Sequence, residues 1–254
     1  MPTQPIPIVH YAKFLTNAPL TWRINQNETV QLAIFVRDII TVSGKIEMYD
    51  SSGNIIATDI IPGAVIDTHR LVMTLRPSSF SNLTAAYFKV WAEVNGVRKT
   101  EIRTYYINRN ECQDDVVVLW LNRFGGIDTY TFTGEQSWIL EAQKVRSIRE
   151  LNFPFSLQDT GTIVTGVFAN ENGELFSQFE KTDVIKWLTE IISSPAVWIK
   201  QVPLSDSEGE YTPAGAQRIP INVTIDSHAW KDQDELLQFK MVFEYANQIN
   251  TQNG

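Results

Sequence analysis

Apolar and polar residues alternate along the first part of the chain, which predicts β-strands. Val30, Leu32, Ile34 and Val36 fall on one side of an extended segment, and a polar stretch over 50–54 separates two further alternating runs. Period-two alternation places one set of side chains in a core and the other in solvent. About six or seven such strands, with turns at roughly 8–12-residue spacing, are typical of an immunoglobulin-like antiparallel β-sandwich. The Cys-Trp-Cys pattern of antibody domains is absent, so the likeness is one of architecture alone.

The Asn95-Gly96 pair is the strongest local turn signal in this region. It follows an alternating run over 87–94 and precedes a second run over 97–107. Both residues of such a pair tolerate the positive φ angles that a two-residue hairpin turn requires. The pair therefore predicts a tight hairpin in which 97–107 is the returning strand.

The pattern changes around 108–111, where a polar stretch interrupts the strands. We place a domain boundary there, between an N-terminal β-sandwich domain over 1–110 and a C-terminal β-rich domain over 111–254. The first strand of the second domain, Val116–Leu121, is apolar at every position. Such a run is expected of a strand that is covered on both faces.

One helix is expected in the C-terminal domain, over about 177–193. The residues of its apolar face, spaced i, i+3, i+4 and i+7, are Val184, Trp187, Leu188 and Ile191. Thr182 or Ser177 could cap its N-terminus. Strands are expected before it, over 141–150 and 162–169, so the domain is predicted to be a β-domain with one packed helix.

The segment 122–128 carries paired glycines between two predicted strands. Glycine permits backbone angles that other residues avoid, so we predict a structural turn with Gly125 or Gly126 at positive φ. Asp128 stands at the end of this turn. The sequence therefore gives Gly125, Gly126 and Asp128 as candidates for a structural loop.

Composition is that of a folded, soluble protein. Of the 254 residues, 43% are hydrophobic and 20% charged, and 21 basic against 29 acidic residues give a net charge of −8. No apolar run approaches the roughly 18 residues of a membrane helix, and the N-terminus lacks a signal-peptide pattern, so we expect no membrane partner. The acidic balance argues against direct nucleic-acid binding, which needs clustered Lys and Arg.

No combination of residues forms a recognisable catalytic or metal-binding motif. Cys112 is the single cysteine, and the histidines do not have the spacing of a zinc site. The histidines are His10, His69 and His228. Nucleophile-elbow, Walker and dinucleotide-binding motifs are absent as well. We therefore expect that the protein is not an enzyme and uses neither a metal nor a cofactor.

The polar segment 204–215 carries the carboxylates Asp206, Glu208 and Glu210. Calcium ligation or paired-carboxylate catalysis would use residues of this kind, but a loop of small polar residues is ordinarily solvated. Loops of this length are often functional. We expect this one to order against an adjacent subunit, with its three carboxylates as interface candidates.

Three tryptophans, Trp22, Trp91 and Trp138, are the aromatic residues that could form a sugar-binding platform. Aromatic residues in alternating strands more often pack in a core or against a neighbouring strand. The sequence alone does not decide between sugar binding and packing as the role of these tryptophans.

Two segments resemble uncharacterised virion structural proteins of tailed bacteriophages that infect Bacteroidota. They are VLWLNRFGGIDTYTF over 118–132 and LLQFKMVFEYAN over 236–247, and the match covers mainly 116–247. The resemblance implies a tail-tube-like β-domain and an assembly role in the tail, baseplate or neck. It also implies a homo-oligomeric ring, neighbouring virion proteins as partners, and location in the virion after assembly in the host cytoplasm. The N-terminal sandwich resembles the immunoglobulin-like domains that decorate phage tails.

These observations leave three hypotheses. The first is a virion structural protein that forms a ring through head-to-tail contacts, in which strand pairing between subunits would satisfy exposed strand edges. The second is a β-sandwich module that binds a host glycan. The third is an enzyme such as a glycan depolymerase, for which no catalytic residues are found. We expect the C-terminal domain to make the subunit contacts and the N-terminal domain to lie peripherally.

Overall fold

A computed structural model describes residues 12–26, 28–36, 42–62, 64–65, 70–94, 96–109, 115–148, 162–201, 217–224, 237–246 and 249–253. In these residues the protein is mainly β, as predicted. The strands in chain order are β1 (Ala12–Phe14), β2 (Thr21–Asn25), β3 (Val30–Val36), β4 (Val42–Tyr49), β5 (Ile55–Pro62), β6 (Ala64–Val65), β7 (Arg70–Leu75), β8 (Tyr87–Val94), β9 (Val97–Arg98), β10 (Arg103–Asn108), β11 (Val116–Leu121), β12 (Ile127–Phe132), β13 (Gln136–Ile148), β14 (Thr162–Phe176), β15 (Val197–Gln201), β16 (Gln217–Val223), β17 (Lys240–Tyr245) and β18 (Ile249–Asn253). The helical elements are a 3₁₀ turn at Pro77–Ser79 and the helices α1 (Thr182–Leu188) and α2 (Glu190–Ser193).

The strands of the first half form two sheets that share one core. One sheet has the order β1-β3-β7-β6, and the other has the order β2-β10-β8-β4-β5 with β9 paired to β8. The alternating apolar positions of both sheets point into the shared core, where Ile34 of the first sheet and Phe88 of the second are completely buried. The period-two pattern thus produces a β-sandwich-like arrangement.

The expected returning strand over 97–107 is interrupted in the structure. It consists of β9 and β10, separated by residues 99–102. The hydroxyl of Thr100 accepts a hydrogen bond from the backbone N–H of Ala92 at 2.8 Å, so a side chain replaces a carbonyl in the pairing with β8. After this break, β10 pairs antiparallel with β8 and parallel with β2, which joins the two ends of the N-terminal half.

The second half forms an eight-stranded sheet with the order β12-β11-β15-β16-β17-β14-β13, in which β18 also pairs with β14. Its own core includes Trp120 and Phe132 of the first strands, Phe243 of β17, and the buried face of the helices. The predicted apolar face of the helix is confirmed, because Val184, Trp187, Leu188 and Ile191 are all buried in this core.

The helix begins later than the sequence suggests, and neither predicted residue caps it. Helix α1 starts at Thr182, and the preceding residue, Lys181, makes no side-chain capping bond. The hydroxyl of Ser177 is used elsewhere: it accepts a hydrogen bond from the backbone N–H of Phe239 at 2.8 Å. Ser177 therefore joins the end of β14 to the segment before β17, which explains why it is completely buried.

The two cores meet at the N-terminal segment. Ala18 belongs to the second core, and Trp22 packs against both. The proposed domain boundary stays a prediction, since residues 110–114 lie outside the described part of the chain. In the part that is described, no helix has both the length and the apolar character needed to cross a membrane.

Candidate functional site

The most prominent surface element is a long β-hairpin, which we call the hairpin arm, formed by β13 and β14. The sequence predicted strands over 141–150 and 162–169, and the structure extends them to Gln136–Ile148 and Thr162–Phe176. The two strands pair over their full length, with a bulge between Val145 and Arg146. Only the part of β14 from residue 166 onward pairs with other strands, β17 and β18, so the far end of the arm extends beyond the sheet.

The hairpin arm carries a large share of the exposed apolar side chains. Among the described residues, eight of the 17 large hydrophobic residues that are exposed lie on it. They are Trp138, Ile139, Leu140, Val145, Ile148, Ile163, Val164 and Phe168, and their exposures run from 41% to 89%. They are divided between the two faces of the arm, so more than one surface of the arm carries exposed apolar side chains.

Both faces of the arm carry exposed apolar side chains. Alternate residues of a strand share a face, and so do directly opposed residues of paired strands. Trp138 and Leu140 therefore lie on the face that continues the buried core, where Trp138 contacts the ring of Phe243 at 5.7 Å between centroids. Ile139 and Val145 lie on the opposite face. A hairpin with two apolar faces cannot bury both of them against its own sheet.

The arm also ends the sheet. Strand β13 is the last in the strand order, and within the described residues no strand pairs along its outer edge. The strand at the other end, β12, is different: it lies against β2 and β3 of the N-terminal half, and most of its residues are buried. Within the described residues, the sheet therefore has one covered edge, at β12, and one edge, at β13, along which no strand pairs.

The predicted structural loop joins β11 to β12 as a hairpin turn. Gly125 has a φ of 81°, which confirms positive φ at one of the two glycines. Gly126 has a different constraint, because an added Cβ would collide with the carbonyl oxygen of Leu15. Asn122 organises the turn: its Oδ1 accepts hydrogen bonds from the backbone N–H groups of Phe124 at 3.0 Å and Gly126 at 2.9 Å.

Asp128 lies at the centre of a buried polar cluster that this loop helps to form. Its carboxylate accepts hydrogen bonds from Thr16 Oγ1 at 2.9 Å, Trp187 Nε1 at 2.8 Å and Asn122 Nδ2 at 3.0 Å. Burial raises the pKa of Asp128, while these three donors and the charge of Arg103 act in the opposite direction. The carboxylate thus connects the N-terminal segment, the loop and helix α1, and its chemistry is that of a structural link.

Two further buried charges lie at the same contact between the halves. The Arg103 side chain is 2% exposed, donates to the carbonyl of Ala18 at 3.1 Å and forms an ion pair with Glu101 at 2.9 Å. Glu28 is also buried, and its Oε2 accepts from the backbone N–H of Asn25 at 3.0 Å. Burial raises the pKa of Glu28 to about 7. The contact is therefore sensitive to the protonation of its carboxyl groups.

The three tryptophans that could form a sugar platform have different environments. Trp22 lies between Tyr105, at 4.4 Å, and Trp187, at 5.5 Å between ring centroids. Trp91 is 7% exposed and donates to Glu93, so only Trp138 presents much of its ring to solvent. The sequence reasoning missed another aromatic cluster, on the N-terminal half, which consists of tyrosines in contact with one another and exposes Tyr106. The signal was available in the alternation of β8, which places Tyr87 on the outer face.

The interface candidates Asp206, Glu208 and Glu210 lie outside the described residues, as do Cys112 and all three histidines. Among the described residues, no group of three His, Cys, Asp or Glu side chains could hold a metal ion. Comparison with protein-family models and with curated proteins found no match for this chain.

Proposed function

We propose that the protein is a structural subunit of a tailed-phage virion, in the tail, baseplate or neck, and that it acts through protein–protein assembly without catalysis. The resemblance of 116–247 to virion proteins of Bacteroidota phages motivates this proposal. The observation that carries it is the hairpin arm, which exposes eight large apolar side chains on its two faces and, within the described residues, has no strand paired along its outer edge.

The exposed arm makes an isolated subunit prone to aggregation. A long, exposed strand edge with apolar side chains invites pairing with other chains, and proteins ordinarily shorten, charge or cover such edges. Strand β13 has 13 residues and ends the described sheet. An assembly in which a neighbour covers both the edge and the apolar faces removes this liability.

We propose that the neighbour is a second copy of this chain. The covered edge at β12 prevents two subunits from joining their sheets edge to edge in one continuous series. In this proposal the arm of one subunit lies on a different surface of the next, which is a heterologous contact of the kind that closes into a ring. In this proposal the C-terminal half is the tail-tube-like, ring-forming part. The N-terminal half is an immunoglobulin-like domain that faces neighbouring virion proteins or solvent.

The test is the oligomeric state of the full chain as a function of concentration, measured by size-exclusion chromatography with light scattering. Leu140→Glu and Ile148→Glu place charges on the exposed arm, and Ile60→Glu is the matched control on β5, where the side chain is 72% exposed. We expect a defined oligomer for the parent and the control, and smaller species for the arm variants. A protein that is monomeric at every concentration, and absent from purified particles, contradicts the proposal.

A second variant tests the loop that the sequence singled out. Replacing 205–210 by a short Gly/Ser link removes Asp206, Glu208 and Glu210, which are expected to meet basic groups of an adjacent subunit. We expect the variant to fold but to assemble less well, and the parent assembly to weaken in high salt. Assembly of the variant at the parent level would exclude this loop from the contact.

A further inference from the structure

The outer face of the six-stranded sheet carries a row of three tyrosines on adjacent strands. Tyr87 of β8 lies directly opposite Tyr49 of β4 on one side and Tyr106 of β10 on the other. The rings of Tyr49 and Tyr87 are stacked at 4.8 Å between centroids with an angle of 5°, and those of Tyr87 and Tyr106 are tilted at 5.3 Å. The three rings form one continuous aromatic surface.

The exposure of the row increases from one end to the other. Tyr49 is 8% exposed, and Lys89 Nζ lies 4.6 Å from its ring centroid. Its hydroxyl donates to Glu47 Oε2 at 2.8 Å, which fixes the position of the ring. Tyr106, at the other end, is 46% exposed. The row is therefore held firmly at its buried end and presents a ring to solvent at its open end.

A groove of about 590 Å³ runs beside this row. Tyr87 and Tyr106 are its aromatic lining residues, and Thr21, Thr104 and Lys89 line it as well. This volume falls within the roughly 300–1,000 Å³ of small-molecule sites, which combine aromatic surface with a few polar groups.

The turn between β4 and β5 also lines the groove, with Ser51 and Ser52. Asp50 holds this turn: its Oδ1 accepts from the backbone N–H groups of Ser52 at 2.9 Å and Asn54 at 2.8 Å. Gly53, with a φ of 88°, completes the turn beside the hydroxyl of Tyr87. This side of the groove is therefore held in place by hydrogen bonds before a ligand arrives, which lowers the entropic cost of binding.

We propose that this groove binds a saccharide chain, with a sugar ring stacked on Tyr106 and sugar hydroxyls bonded to Thr104, Ser52 and Lys89. A sugar presents an apolar ring face together with many hydroxyl groups, and the lining offers an aromatic face together with hydroxyl groups. Nucleic acid fits less well, because phosphate binding depends on clustered cations and the groove is lined by one lysine. This inference is independent of the proposed assembly role, which uses the other half of the chain.

The test uses the full chain on an array of neutral and acidic oligosaccharides, followed by titration calorimetry with the best ligand. Tyr106→Ala is expected to weaken binding by at least about tenfold, while Tyr106→Phe, which keeps the ring, stays within about threefold of the parent. Phe179→Ala is the matched control, since Phe179 is 69% exposed and lies away from the groove. If Tyr106→Ala does not fold, Ser52→Leu, at an exposed turn position, replaces it and is expected to weaken binding as well.

Three outcomes overturn the proposal: no binding to any saccharide of the array, binding that the folded groove variants leave unchanged, or binding of a single-stranded oligonucleotide in preference to saccharides. Because the arm variants and the groove variants lie on different halves, loss of oligomerisation and loss of saccharide binding are read separately.

Discussion

The indole of Trp187 donates a hydrogen bond to the carboxylate of Asp128 at 2.8 Å, across 59 positions of the chain. This bond ties helix α1 to the first hairpin of the C-terminal sheet. Thr16, from the N-terminal half, donates to the same oxygen at 2.9 Å. A single buried oxygen therefore receives donors from both halves of the molecule, and a change at this atom affects the whole fold.

Asp128→Ala is expected to lower the free energy of unfolding by about 3 kcal/mol, because it leaves Thr16 Oγ1 and Trp187 Nε1 without this acceptor and removes one of the two bonds donated by Asn122 Nδ2. Trp187→Phe removes one of these donors and is expected to cost less. Glu135→Ala, at an exposed loop position, is the control and should stay within about 0.5 kcal/mol of the parent. Urea unfolding measures all three. Equal stability of Asp128→Ala and the parent would contradict the structural role of this carboxylate.

Gly125→Val and Gly126→Val are each expected to destabilise the protein by more than about 1 kcal/mol. At Gly125 the reason is the positive φ, and at Gly126 it is the collision of a Cβ with the carbonyl of Leu15. Gly166→Val is the control, since the atoms nearest to a Cβ there lie 3.9 Å away. The measurement is the thermal midpoint. If both loop variants melt like the parent, the description of this turn is incorrect.

The stability of the protein should fall as the pH rises from about 4.5 to about 7. Burial raises the pKa of Glu28 from 4.5 to about 7, so in this range the folded protein keeps a proton that the unfolded chain has lost. Folding therefore takes up a proton, and the free energy of unfolding decreases with pH by on the order of 3 kcal/mol before it levels off. Glu28→Gln should remove most of this slope.

Glu28→Gln should keep a smaller dependence of stability on pH, because partial or full burial also raises the pKa of Asp128, Glu180 and Glu190. Glu135→Gln serves as the control and should keep the slope of the parent. Urea unfolding between pH 4.5 and 8 measures the effect. A parent stability that rises with pH through this window would refute the prediction.

Fragments 1–110 and 113–254 are expected to fold separately and to bind each other. Thr16 and Ala18 of the first fragment contact Asp128 and the core of the second, so each fragment leaves a complementary surface exposed. Co-elution of the mixed fragments in size-exclusion chromatography is the measurement, and Ala18→Glu in the first fragment should abolish it. Fragments that remain separate at high concentration, or that do not fold, would contradict this expectation.

The sequence predicts much of the sandwich because one face of each strand is buried. In β8, Phe88 and Val90 point inward while Tyr87 and Lys89 point outward, and this alternation can be read without a structure. The length of β13 could not be read in the same way. Its residues from Trp138 onward are exposed on both faces, so no buried face imposes a pattern on the sequence.

Contacts between distant positions were beyond sequence reasoning. Thr16 and Asp128 are separated by 112 positions, and nothing in either local sequence specifies the other as a partner. The tyrosine row could not be predicted for a similar reason. The outward direction of Tyr87 is predictable, but its position between Tyr49 and Tyr106 depends on the register of three strands.

The parallel pairing of β2 with β10 constrains the order in which the chain can fold. Thr21 pairs with Thr104 and Asn25 with Asn108, and β10 is the strand that pairs with β2 among the described residues, so this pairing forms only after the chain has been synthesised past residue 108. Long-range pairing of this kind is slow, whereas β13 and β14 are neighbours in sequence and can pair rapidly. During synthesis, therefore, β2 is made long before the strand with which it pairs. At high expression levels this delay lengthens the time in which unfinished chains can associate wrongly, so slower synthesis at lower temperature should increase the yield of native protein.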